Sequence, residues 1–160
     1  QHQVGLLAEV APEGALAELR TLARRHGDEP RLLAQIALAE AARGDLGQAL
    51  VATGFGYAPS RRAAQARTLA EVLPVVRDIR RAGAAAVDLC WAAAGRVDCY
   101  YERGLNPWDY AAGVLVATEA GLAAGGPAHR PPSSELTWLA PPNLAGAFAE
   151  LLARAGADRD

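Results

Sequence analysis

Apolar positions recur along this chain with two periods, 3.6 and 2. From Glu13 to His26, the residues Leu16, Leu19, Leu22 and Ala23 fall on one helical face, and Gly27 stops the pattern. Asp28 offers a cap, and Pro30 opens a second helix through Arg43 with Leu33, Ile36, Ala37 and Ala41 along its apolar side. Gly44 ends that helix, and Asp45 can cap a third through Leu50. The run Val51–Tyr57 changes to period two, with Val51, Thr53, Phe55 and Tyr57 sharing one face of a strand. Ser60 then caps a helix striped by Leu69, Val72, Leu73 and Val76, which Pro74 kinks or ends. Ala84–Ala94 and Tyr110–Glu119 are apolar nearly all round, which predicts two buried helices. Between them, Val97–Glu102 reads as a strand. Gly121, Gly125 and Gly126 mark a loop, and the Pro- and Ser-rich Ala128–Ser134 is another. Glu135–Ala140 alternates as a strand does, with Leu136, Trp138 and Ala140 on one face. Pro141 and Pro142 open a last helix striped by Leu144, Ala147, Phe148, Leu151, Leu152 and Ala155. The opening run Val4–Val10, before Pro12, fits a strand or a helix turn equally.

These elements predict an α/β fold. A small mixed sheet from about 51–57, 97–102 and 135–140, joined by the segment around 77–82, is flanked by helices. An N-terminal helical hairpin within residues 1–50 stands apart from an α/β unit over 51–157. The hairpin also faintly resembles a tetratricopeptide repeat, through Pro30, Ala37, Gly44 and Ala49. One such repeat cannot bury its own face, so a plain hairpin packed on the rest of the chain is the expected reading.

Composition narrows the classes. A domain of 160 residues can bury about 70% of its unfolded surface, enough for a real core. Sixteen basic against eighteen acidic residues leave a net charge of −2, which gives no reason to expect a nucleic-acid or membrane partner. All the basic residues are Arg, a bias that reads as genome composition. No apolar run reaches the roughly 18–20 residues that span a bilayer, and no basic-then-apolar leader opens the chain, so a cytoplasmic setting is expected. The chain holds no Met and opens at Gln1, which suggests a fragment, a processed chain or a recombined product. Cys90 and Cys99 are too few for a disulfide framework and are expected as two buried thiols. The three histidines lack metal-ligand spacing and read as surface residues. The basic run Arg77–Arg81 reads as a solvated face at Arg77 and Arg80.

Candidate chemistry gathers in Gly95–Gly121, GRVDCYYERGLNPWDYAAGVLVATEAG. Pro107 suits a first helical turn, where its missing N–H has no partner to lose. Asp109 in that turn faces the positive end of the helix dipole, which favours the ionised carboxylate. Glu102 ends the strand that feeds the same turn. Ligands of open α/β sheets bind outside strand ends, and two acids there suit a hard cation such as Mg²⁺. Without further context, Asp109 reads as a plain helix-start acid, and Glu102 fits a solvated strand-end acid as well as a ligand.

The longer run GAAAVDLCWAAAGRVDCYYERGLNPWDYAAGVLVATEAG resembles the C-terminal half of the inositol monophosphatase family. That family carries a Gly-small-Ala helix start, an A-x-G-x-x-D-x-Y-x-E-x-G strand and a W-D-x-A-A-G-x-x-x-x-x-E-A-G helix. An A-T-G-F-x-Y strand also matches, from Ala52, so the resemblance spans about residues 52–156. It implies that Asp109 is a metal ligand, that Glu102 holds a substrate hydroxyl, and that Gly83, Ala84 and Ala85 line the substrate pocket. Mg²⁺ is the implied cofactor and a small phosphorylated polyol or sugar the implied substrate. The family would show a glycine at Leu122 and an acidic strand after it, and this chain departs there. The family's first half carries an upstream Glu and a D-P-x-D-G-T-x-N loop that supply the other metal carboxylates and help activate water. No such run occurs here. The expectation is therefore a catalytically incomplete phosphatase part, completed by the missing N-terminal half or a homodimer partner. The hairpin, through Leu19, Leu22, Leu33 and Ile36, is expected to cover apolar surface that half would otherwise cover. The alternatives are a non-catalytic binding module, docked through its helical N-terminus, and a truncated or recombined product without function of its own.

Overall fold

The structure, a computed structural model, describes Thr21 and residues 44–159. The hairpin predicted within residues 13–43, its tetratricopeptide-like pattern and the run Val4–Val10 lie outside the described residues. Asp45 does act as a cap, its Oδ1 accepting from the Gly47 N–H at 2.8 Å, but the turn it starts is a 3-10 turn of three residues, Leu46–Gln48.

Five strands form one mixed sheet. They are β1 (Leu50–Thr53), β2 (Asp78–Arg80), β3 (Cys99–Glu102), β4 (Ala123–Gly125) and β5 (Thr137–Ala140), in the order β2-β1-β3-β5-β4. β1 runs parallel to both β2 and β3, while β5 is antiparallel to β3 and β4. The parallel pairs need crossovers, and helices supply them. α1 (Pro59–Val72) links β1 to β2, α2 (Ala85–Ala93) links β2 to β3, and α3 (Pro107–Glu119) follows β3. α4 (Pro142–Arg154) closes the described chain.

Alternation along the strands divides the core in two. Val51, Cys99, Tyr101, Trp138 and Ala140 point to one face, where α4 lays Leu144, Phe148, Leu151 and Leu152 and α1 lays Val72. Phe148 meets Tyr101 edge to face, with ring centroids 6.3 Å apart. Ala52, Tyr100 and Leu139 point to the other face, under Leu89 and Ala92 of α2 and Ala117 of α3. α2 and α3 approach closely because Gly113 has no side chain: a Cβ there would stand 2.7 Å from Leu89 Cβ.

Several expectations need correction. β1 stops at Thr53, so Phe55 lies past its end and Tyr57 is 98% exposed. α1 is not capped by Ser60; Ala58 precedes a Pro at the first helical position. Its buried face is Ala64, Thr68 and Val72 rather than a Leu69–Leu73 stripe, and Leu73 is exposed. Small residues face inward there because the helix sits close to the C-terminal end of α4, where Thr68 Oγ1 donates to the Ala155 carbonyl at 3.2 Å. Ala147 of α4 is exposed. Gly125 belongs to a strand, β4, and not to a loop. Its bare α-carbon lets the Trp138 indole lie across it, and the indole N–H donates to the Gly126 carbonyl at 3.1 Å.

The two apolar helices are not buried all round. α3 buries only Gly113 and Ala117, while Trp108, Leu115 and Val116 are 79%, 61% and 48% exposed. On α2, Val87 and Cys90 are exposed as well. Cys90 is thus an exposed thiol, whereas Cys99 is buried as expected. The physical reason is that α2 and α3 turn one side to the sheet, and no described element covers their outer side.

Candidate functional site

Because β1, β2 and β3 are parallel, their C-terminal ends share one edge of the sheet. The segments leaving that edge are Gly54–Phe55 after β1, Arg81–Ala84 after β2 and Arg103–Asn106 after β3. Topology therefore brings Gly83, Ala84 and Ala85, Glu102 and Asp109 to one edge, the position where open α/β sheets bind ligands.

Each residue is set there for a local reason. Gly83 adopts φ +90°, a left-handed conformation that side chains disfavour, so the turn from β2 into α2 calls for glycine. Ala84 caps α2 in an extended conformation without a side-chain hydrogen bond. The first N–H groups of α2 thus point outward from a helix N-terminus. Asn106 and Asp109 form a reciprocal capping box around Pro107. The Asn106 N–H donates to Asp109 Oδ2 at 2.8 Å, which leaves Oδ1 free of that cap. Asp109 is half-buried.

Glu102 lies on the face of β3 shared with Tyr100, the α2/α3 side. The fully buried Tyr100 hydroxyl donates to Glu102 Oε2 at 2.9 Å. Burial raises the Glu102 pKa; the Tyr100 bond opposes that, the Asp88 charge adds to it, Arg81 opposes it and Asp109 adds to it. Burial likewise pushes the Tyr100 phenol far above its ordinary range, assisted by the charge of Glu102. The Asp109 charge thus reaches Glu102 at the same edge.

Sequence reasoning missed two members of this neighbourhood. Asp88, in the first turn of α2, is 1% exposed, and both its oxygens accept from the Ala82 N–H at 3.3 Å. Burial raises its pKa, opposed by the Ala82 N–H and by Arg81. It ties α2 to the turn that carries Gly83. The signal was present: Asp88 is the one charge in an apolar run, where an acid needs a partner. Arg81 is the second. It stacks over the Phe55 ring, 5.7 Å from the centroid, and its positive charge opposes the raised pKa of Asp88 and of Glu102. Arg77 and Arg80, by contrast, pair with Asp98 and Asp78 on the exposed surface.

Among the described residues, no group of three or more His, Cys, Asp or Glu could hold a metal ion. Asp109 offers one carboxylate oxygen. Mg²⁺ commonly uses one or two carboxylates together with substrate phosphate and water. The described residues therefore fit a part of a Mg²⁺ site and not a whole one.

Residues 4–156 match the model of the inositol monophosphatase family, reaching further towards the N-terminus than the motifs alone indicated. An inositol-1-monophosphatase of Mycobacterium leprae is 50% identical over 112 residues, covering 69% of this chain and 38% of the relative. A protein named Nus factor SuhB from Vibrio cholerae is 46% identical over 78 residues, 48% of this chain and 29% of the relative. The solved structure of Mycobacterium tuberculosis SuhB superposes with a TM-score of 0.64 at 44% identity, over 72% of this chain and 45% of that one. An inositol monophosphatase from Anabaena gives 0.62 at 30% identity, over 69% of this chain and 45% of that one. The chain thus matches less than half the length of these relatives.

Proposed function

The chain belongs to the inositol monophosphatase family, and on that premise we propose that it is the C-terminal part of a Mg²⁺-dependent phosphatase for inositol monophosphate or a related small sugar or polyol phosphate. The observation that carries this reading is the gathering of the Gly83–Ala85 backbone, Glu102 and Asp109 at the C-terminal edge of the parallel strands. Glu102 accepts a substrate hydroxyl with the carboxylate oxygen that Tyr100 does not engage. The Gly83 turn lets the substrate ring approach the backbone, and a side chain at this position would narrow it. Asp109 lends its free oxygen to the metal. When bound, Mg²⁺ polarises the phosphoryl group and lowers the pKa of water. The described residues supply neither a water-activating group nor a second metal carboxylate. The chain by itself therefore binds substrate weakly and does not turn it over.

The names of the relatives support this reading, as several are inositol-1-monophosphatases. The test joins calorimetry with a phosphate-release assay, using inositol monophosphate and Mg²⁺. We expect weak binding that Glu102→Ala abolishes, and no phosphate release. Mg²⁺-dependent release by the pure chain, lost in Asp109→Asn, would show the site to be complete after all. Failure of the chain to bind any polyol phosphate would remove the substrate reading.

A further inference from the structure

We propose that Gly54 and Tyr100 are positioning residues that form a seat for the Glu102 carboxylate and aim it at the sheet edge it shares with Gly83 and Asp109. The proposal rests on the reading of Glu102 as the acceptor of a polyol hydroxyl. Two separate observations carry it. The first is the hydrogen bond from the fully buried Tyr100 hydroxyl to Glu102 Oε2, 2.9 Å long. The second is at Gly54. A Cβ on Gly54 would fall inside the Glu102 carboxylate, overlapping its carbon and both oxygens.

Glycine at position 54 has no backbone explanation. Its φ is not among the positive values that mark Gly83, Gly95 and Gly104. The residue is buried at the end of β1, where a β-branched or aromatic side chain would be the ordinary choice. What the missing side chain provides is room for the carboxylate. Register explains why the pair meets. Thr53 pairs with Tyr101 across the parallel β1 and β3 ladder, so the residue following each, Gly54 just past β1 and Glu102 on β3, falls on the α2/α3 side. Tyr100, two residues before Glu102, shares that face and reaches it from within the core.

The seat holds the carboxylate on two sides. Gly54 bounds it below, and Tyr100 engages one oxygen. The other oxygen is left to meet a ligand. An alanine at 54 leaves the backbone in place, because the carboxylate ends a flexible side chain and can swing aside, although the buried Tyr100 hydroxyl then loses its acceptor. It would be costly for the site, because swinging aside breaks the Tyr100 bond. This distinguishes a positioning role from a packing one.

The experiment uses the whole chain and two readouts. The ¹³Cδ shift of Glu102 is followed by NMR in the wild type, Gly54→Ala, Tyr100→Phe and the control Gly146→Ala. Gly146 is an exposed helical glycine whose Cβ would meet nothing within 4 Å. Binding of inositol monophosphate with Mg²⁺ is measured on the same proteins. We expect the Glu102 resonance to move in Gly54→Ala and Tyr100→Phe but not in the control, with all three variants still melting cooperatively as folded proteins. We expect Kd to rise at least about tenfold in both variants, the loss of one hydrogen bond to a charged group. A Glu102 resonance unmoved by either substitution overturns the seat. Wild-type binding retained in both variants overturns the positioning role. If the resonance moves as expected but the wild type binds no inositol monophosphate, the substrate reading fails while the seat stands.

Discussion

At the scale of single residues, the two cysteines and Asp88 show what burial does to ionisable groups. Cys99 is fully buried in β3, and desolvation with the neighbouring Asp98 charge pushes its thiol well above the ordinary range. Cys90 is exposed on α2. A thiol reagent should therefore label Cys90 in the native protein and reach Cys99 only on unfolding. Mass spectrometry of the labelled peptides reads the difference, and equal labelling would contradict it. Asp88 has a folded pKa raised by burial above its unfolded value. Between those two values the native state holds more protons than the unfolded one. Stability contributed by this group is therefore greatest at low pH and falls as pH rises through the window. Asp88→Asn removes the titration and can still accept from the Ala82 N–H. The variant should melt higher than wild type at pH 7, and the gain should vanish below the ordinary aspartate range.

At the scale of elements, α2 and α3 are held together by a close approach and left open on their outer side. Alanine ordinarily improves a helix over glycine by about 1 kcal/mol. At Gly113 it should do the opposite, because its methyl would overlap Leu89, and overpacking a core costs about 1–3 kcal/mol. Leu89 itself is fully buried, so Leu89→Ala should cost about 2–5 kcal/mol. Leu115 is 61% exposed, so Leu115→Ser should fall within about 0.5 kcal/mol of wild type. Urea denaturation of the three variants checks the order. A large loss in Leu115→Ser would mean that something covers the outer side of α3.

At the scale of the molecule, β1, β3 and β5 are paired on both sides and enclosed between two helical layers. β2 and β4 are the edges, three residues each. Native-state hydrogen exchange should find the slowest amides in β1, β3 and β5 and much faster exchange in β2. Uniform protection across the sheet would contradict that order. The layers also differ in completeness. The α1/α4 side closes over Phe148 and Trp138, whereas the α2/α3 side exposes Val87, Trp108, Leu115 and Val116. Solved relatives extend well beyond this chain, which covers 45% of one of them. The open side and the partial metal site are consistent with one another, as both lack partners among the described residues.

The sequence by itself determined most elements and the family. Period-2 runs marked β1 and β5, and proline at a first helical position marked α3 and α4, because these signals depend on neighbours a few residues away. The ordered motif around Gly83, Glu102 and Asp109 was legible for the same reason. β4 was not, since Ala123–Gly125 carries no alternation and exists only because β5 offers it a partner and Trp138 covers it. The burial of α2 and α3 was misread, because an all-apolar helix shows that it can be buried and not what is there to bury it. Gly54 and Arg81 took their roles from contacts between strand ends that only the parallel register brings together, with Glu102 and with Phe55. Hydrophobic period is a local property of the chain. A carboxylate's seat is set by residues nearly fifty positions apart, and tertiary structure alone decides that.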